Sequence, residues 1–121
     1  MKSLPLMKSQ QIPKLIRIIQ MNTLEYRKEA NTLILTFLGD ILSTNVNTSM
    51  NEFNKIEDRY KLENLKVNLE KVNMIDSQGL NLLIGIYQEC LKNSVNFTVS
   101  NVSDAVLKLL KFVKLDKKFS V

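Results

Sequence analysis

The residues with the most chemical promise are an aspartate and a serine side by side, Asp76-Ser77, with Gly79 and Leu80 close behind. An alternating apolar run, Val72 to Ile75, precedes them, and Leu80, Leu83, Ile84, Tyr87 and Leu91 follow at helical spacing. This pattern reads as a strand entering a helix whose first turn begins at the pair. Such a serine or aspartate has two available roles. It caps the helix by accepting a hydrogen bond from a first-turn N–H. Alternatively, the serine hydroxyl is a phosphate acceptor, because unpaired N–H groups and partial positive charge make a helix start tolerant of an added anion. From the residues alone both roles stay open.

Other chemistry is poorly supplied. The chain contains no histidine, which removes Ser-His and Cys-His nucleophilic catalysis and most zinc sites. Its one cysteine, Cys90, has no partner for an internal disulfide and falls at the edge of the apolar stripe, as a buried spacer would. Three scattered glycines, Gly39, Gly79 and Gly85, make no phosphate-binding loop. Asp76 with Asp40 or Glu70 is a conceivable carboxylate pair, but no spacing marks them as one. The chain is therefore expected to have no catalytic, cofactor-binding or metal-binding residues, and not to be an enzyme.

Placed at 100° per residue, Leu80, Leu83, Ile84, Tyr87 and Leu91 form the core side of the helix. Gln78, Asn81, Gly85, Gln88, Glu89 and Lys92 spread over the opposite side. A glycine on a solvated helix face costs about 1 kcal/mol relative to alanine. Gly85 is thus easier to understand where something approaches the backbone. Leu82 and Ile86 flank it outside the expected core stripe. Two readings remain: Leu82, Gly85 and Ile86 form a docking patch, or another part of the chain covers them.

Elements able to position this helix lie on both sides of it. Thr32–Leu38, TLILTFL, is a β-rich run ended by Gly39-Asp40, and Thr23–Lys28 is a candidate partner strand joined through Glu29-Ala30-Asn31. Val46, Met50, Phe53 and Tyr60 share a helical face within Ser43–Tyr60, with Ser43, Thr44 or Asn45 as candidate caps. Leu65, Val67 and Leu69 alternate as a strand, and so do Val95, Phe97 and Val99. Ser103-Asp104 opens a third helix carrying Val106, Leu109, Leu110 and Val113. Ile12, Leu15, Ile16 and Ile19 predict a short N-terminal helix, with Pro13 suited to its first turn; a true start at Met21 is the competing reading. Periods of two and 3.6 alternate without internal repeats, which predicts one α/β domain.

The segment Lys71–Tyr87, KVNMIDSQGLNLLIGIY, resembles the STAS family, in particular its anti-sigma factor antagonists. Their hallmark is an apolar strand, then Asp-Ser-x-Gly-Leu, then an amphipathic helix, matched here by Val72, Ile75, Asp76, Ser77, Gly79, Leu80, Leu83 and Gly85. The likeness extends from about Thr23 to Phe119. It implies a STAS-like mixed sheet of four to five strands with three main helices starting near residues 45, 77 and 104, beside the short N-terminal helix. It also implies a partner switch. The unmodified protein binds a regulatory serine kinase, often an anti-sigma factor, and phosphorylation of the matching Ser77 releases it. A serine phosphatase restores the unmodified form. Asp76, Gln78, Gly79, Leu82, Gly85, Ile86, Ser43 and Asn45 are the expected partner-binding residues. Many relatives carry Asp or Asn at the position of Leu42, so Ser43 or Asn45 is the candidate substitute. The rival reading is a STAS scaffold or accessory subunit of a membrane transport system, with Ser77 only a cap.

Composition sets the remaining bounds. At 121 residues and 45% hydrophobic content, the chain has the size and composition of one globular domain. No apolar run reaches the length of a membrane span, and Arg17 interrupts the only early apolar stretch, so neither stable membrane insertion nor a secretory signal is expected. The default location is cytoplasmic. The net charge of +5 is concentrated in a basic N-terminal extension, residues 1–22, which holds four basic and no acidic side chains. The domain, residues 23–121, holds 13 basic and 12 acidic side chains, a net +1, which argues against a nucleic-acid partner. Self-association into a homodimer is left open.

Overall fold

The computed structural model describes residues 17–121. Strands β1 (Ile19–Gln20), β2 (Leu24–Glu29), β3 (Thr32–Phe37), β4 (Asn64–Asn68) and β5 (Asn96–Ser100) form one five-stranded sheet in chain order. Helices α1 (Val46–Asn54), α2 (Ser77–Lys92) and α3 (Asp104–Phe112) follow β3, β4 and β5 in turn. The strands β1, β2 and β3 pair antiparallel, and β3, β4 and β5 pair parallel. This is the mixed sheet with three helices that the resemblance implied.

Both crossovers, β3-α1-β4 and β4-α2-β5, step across the sheet in the same direction. Right-handed connections therefore place α1 and α2 on one face. The register aligns Leu33, Leu65 and Phe97, and next to them Leu35, Val67 and Val99, as rows of buried side chains beneath those helices. The opposite face is polar. Thr32, Asn64 and Asn96 stand in one row there, linked by the Asn96 amide donating to Asn64 Oδ1 (3.2 Å) and the Asn64 amide donating to Thr32 Oγ1 (3.4 Å).

The first helix is shorter than its apolar spacing suggested. It stops at Asn54, and Asp58 takes a left-handed backbone (φ 59°) in the turns that follow. Tyr60 nevertheless meets the helix, edge-on to Phe53 at 5.8 Å, with the Arg59 guanidinium over both rings. Glu52 faces inward from α1 and is buried. Its carboxylate accepts from the backbone N–H groups of Asn22, Thr23 and Leu24 and from the Thr23 hydroxyl, which fastens the β1–β2 turn to the helix.

Ser103 caps α3 by accepting from the Val106 N–H at 3.2 Å. Beyond α3 the chain folds back: the Leu115 N–H donates to Leu110 O, and the Val99 N–H of edge strand β5 donates to Phe119 O. Phe119 is fully buried against Tyr87 and Phe97. This tail shields part of an edge that would otherwise offer unpaired backbone groups. Of the expected N-terminal helix, residues 12–16 lie outside the described residues. Its final residue, Ile19, belongs to β1 and pairs with Tyr26.

Candidate functional site

The site is built where two loops meet at the carboxyl ends of β3 and β4. One is Gly39–Asn45, leading into α1, and the other is Asn73–Asp76, leading into α2. The expected strand over Val72–Ile75 makes only one bridge, Ile41 to Ile75, closed by Ile41 N–H to Met74 O (3.0 Å) and Asp76 N–H to Ile41 O (3.2 Å). A carboxylate replaces the rest of the ladder. Asp40 Oδ1 accepts from the N–H groups of Asn73 (2.8 Å) and Met74 (3.0 Å).

Asp76 is the cap of α2, and its two oxygens have separate tasks. Oδ1 accepts from the Gly79 N–H at 2.9 Å, and Oδ2 accepts from the Ser43 N–H at 2.7 Å. Those bonds, from Gly79 first and Ser43 second, hold the carboxyl below the usual carboxylate range. A single side chain thus caps one helix and straps the neighbouring loop to it.

Gly79 explains why the two loops come so close. A Cβ at this position would stand 2.1 Å from the carbonyl oxygen of Ile41 and 2.9 Å from Ile75 Cγ2. Only a residue without a side chain lets the first turn of α2 rest on the Ile41 backbone. Gly85 is the opposite case. A Cβ there would meet nothing within 4 Å, so no close approach among the described residues accounts for it.

Of the expected site residues, Ser43, Asp76, Ser77, Gln78 and Gly79 converge on this corner. Ser77 and Gln78 are exposed on the first turn of α2, and Ser43 is exposed beside Asp76. Asn45 precedes α1 but makes no side-chain cap. Its amide is taken up within its own loop, accepting from the Leu42 N–H (3.0 Å) and donating to Asp40 O (2.8 Å). Asn45 is therefore a brace of the loop.

The expected patch of Leu82, Gly85 and Ile86 is corrected at Leu82 and Ile86. Leu82 and Ile86 are buried core residues, 7% and 1% exposed. The buried line of α2 is Gly79, Leu82, Leu83, Ile86 and Cys90, whereas Leu80, Ile84 and Tyr87 are half-buried and Leu91 is 60% exposed. The inward face is turned by about 100°, one residue, from the predicted one. The physical cause is Gly79, which presses its own side of the helix onto the Ile41 loop. Apolar residues cover more than half of α2, so their spacing alone did not fix the centre of the buried arc. Chain cover, the second of the two readings, holds for Leu82 and Ile86.

Three residues of the corner escaped the reading of the sequence. Asp40 was visible only as a candidate carboxylate partner, and its backbone bonds are what shape the loop before α2. Ile41 supplies the carbonyl that Gly79 accommodates. Met74, 61% exposed, stands three residues before Ser77 on the outer surface. An Asp following Gly39 at a strand end was the one available signal for a loop clamp. The adjoining cleft, lined by Asn22, Thr23, Asp40, Asn45 and Ser49 among others, has a volume of about 160 Å³. That is below the usual range for sites that enclose drug-sized ligands. No described helix is long and apolar enough to cross a membrane.

A mixed sheet with α1 and α2 on one face, and an Asp-Ser-x-Gly corner locked onto the preceding crossover, define the class of protein. The match of residues 23–121 to the STAS domain places the chain in that family. Solved structures similar to it include an anti-sigma factor antagonist from Mycobacterium paratuberculosis, with a TM-score of 0.67 at 19% identity over 88% of this chain and 85% of that one. A sulfate transporter family protein from Wolinella succinogenes gives 0.65 at 18% identity over 75% and 73%. The phosphorylated form of the Bacillus cell fate determinant SpoIIAA gives 0.57 at 16% identity over 85% and 86%. At these identities the likeness is one of fold.

Proposed function

We propose that this domain is a non-enzymatic, cytoplasmic partner-switching protein of the anti-sigma factor antagonist type. It binds a regulatory serine kinase through the corner around Ser77 and is released when the kinase phosphorylates that residue. A serine phosphatase returns it to the binding form. The observation that carries this reading is the placement of Ser77. Its side chain is exposed at the first position of α2, on a corner whose backbone is already held by Asp40, Asp76 and Gly79. A phosphate added there lies at the N-terminus of α2, whose partial positive charge favours an anion, so the domain tolerates it. The same phosphate adds a charge of about −1.5 to −2 beside ionised Asp76. A partner that desolvates this corner meets repulsion between them.

The test is incubation with the cognate kinase and ATP, read by mass spectrometry. One phosphate is expected on Ser77 and none on the Ser77→Ala variant. Phosphate on another serine, with Ser77 untouched, defeats the proposal. A second reading, a scaffold or accessory subunit of a membrane transport system, draws support from Leu42. It lies half-exposed at the position where the resemblance leads one to expect an acid or amide. That reading requires partner binding that neither Ser77→Ala nor Ser77→Asp alters.

A further inference from the structure

The near-neutral charge of the domain conceals a division. Residues 23–103 carry eight basic and ten acidic side chains, net −2, whereas residues 104–121 carry five lysines and two aspartates, net +3. All five lysines, Lys108, Lys111, Lys114, Lys117 and Lys118, are exposed. The ion pairs among the described residues are Arg27–Glu29, Lys61–Asp58 and Lys92–Glu89, so none of the five is neutralised by a carboxylate.

Amid these lysines Phe112 projects from the last turn of α3 at 84% exposure, and Val113 follows it at 37%. The core side of α3 is occupied by Val106 and Leu110, so Phe112 lies on its outer side with Lys108 one turn before it. The segment is not a loose tail. Lys114 takes a left-handed backbone (φ 61°), Leu115 and Phe119 are tied back to Leu110 and Val99, and Phe119 is buried. Phe112 is therefore accompanied by Lys108 and Lys111 on α3 and followed by three more exposed lysines in a segment tied back to the body. Its hydrogen bonds and ring contacts run to β5 and Tyr87.

We infer that this face of α3 and its following turn binds an anionic lipid surface. Lysines clustered on a helix are drawn to acidic headgroups, and a lone aromatic among them enters the headgroup boundary while the lysine stems extend beside it. The composition discriminates among anions. Residues 104–121 contain no arginine, asparagine or glutamine, the side chains that grip phosphates bidentately or read base edges. A single protruding phenylalanine needs a matching pocket on a folded protein, whereas a fluid interface takes it without one. The inference is independent of the switch at Ser77, since it rests on residues 104–121 alone.

The experiment is vesicle flotation of the full chain, with phosphatidylcholine alone and with phosphatidylcholine mixed with phosphatidylserine, at low and high salt. Binding is expected only to the mixed vesicles, and salt should weaken it. The double variant Lys111→Glu/Lys114→Glu should lower partitioning by about 100-fold. Phe112→Ala should lower it by about tenfold. All three positions are exposed, so both variants should melt as the unchanged protein does. Equal binding to neutral vesicles overturns the inference, and so does anionic binding that survives both variants, which would assign it to the basic residues 1–22. Duplex DNA bound more tightly than the mixed vesicles, and lost in the lysine variant, would also overturn it in favour of a nucleic-acid partner.

Discussion

Replacing Gly79 by alanine isolates the contact on which the corner depends. The new Cβ would lie 2.1 Å from Ile41 O, where an ordinary carbon–oxygen contact needs about 3.3 Å. The obstacle is backbone, so α2 or the Ile41 loop must retreat by about 1 Å. That movement strains the Asp76 N–H to Ile41 O bond, worth about 1 kcal/mol, and adds an overpacking cost of about 1–3 kcal/mol. Helix propensity offsets up to about 1 kcal/mol of this. The net expectation is a loss of about 2 kcal/mol, or a melting temperature lower by roughly 10 °C. Urea unfolding followed by far-ultraviolet circular dichroism measures it. Gly85→Ala is the matched control: its Cβ meets nothing among the described residues, and it should gain about 0.5–1 kcal/mol. A Gly79→Ala variant as stable as the unchanged protein would refute the close-approach account.

Further tests address the core and the caps. Glu52 is pushed up by burial but pulled further down by its hydrogen bonds from Thr23, Asn22 and Leu24, so its carboxyl lies below the ordinary 4.5. A depressed native value gives stability that is present above about pH 4.5 and lost as pH falls through the native value. Glu52→Gln, which turns an amide donor toward backbone donors, should cost about 2 kcal/mol at pH 7 and flatten the acid limb of the stability profile. Ser103→Ala, removing the cap of α3, should cost about 1 kcal/mol in urea unfolding. Leu82→Asp buries an unpaired charge and should cost at least about 3 kcal/mol, whereas a docking role would leave the isolated domain stable. Burial, with the Glu89 charge adding to it, pushes the Cys90 thiol up to about 12. An aromatic disulfide reagent should therefore label Cys90 only at the rate of unfolding.

Short-range pattern carried much of the fold. Alternation at Leu65, Val67 and Leu69 and at Val95, Phe97 and Val99 marked two buried strand segments, because every second side chain of a one-sided sheet must be apolar. Ser103-Asp104 and Asp76-Ser77 marked two helix starts, because a cap is a local hydrogen bond between neighbours in sequence. The Asp-Ser-x-Gly-Leu string also placed the candidate site on the first turn of α2. Its Gly79 was read as part of a motif, without the reason for it. That reason is the carbonyl of Ile41, 38 residues away in sequence, which no local period records.

The sequence by itself determined an α/β domain, the order of its elements from β2 onward and the serine at the start of the second helix, since each rests on interactions within a few residues. Tertiary structure decided which side of that helix is buried. Leu80, Leu82, Leu83, Ile84 and Ile86 are all apolar, so either side would satisfy the hydrophobic pattern, and only the seat of Gly79 on the Ile41 loop chooses between them. It likewise decided that Asn45 braces its own loop, that Asp40 shapes the approach to Ser77, and that Phe112 stays in solvent among unpaired lysines. Each of these depends on what a distant backbone segment places beside the residue, and residue spacing along one element does not carry that information.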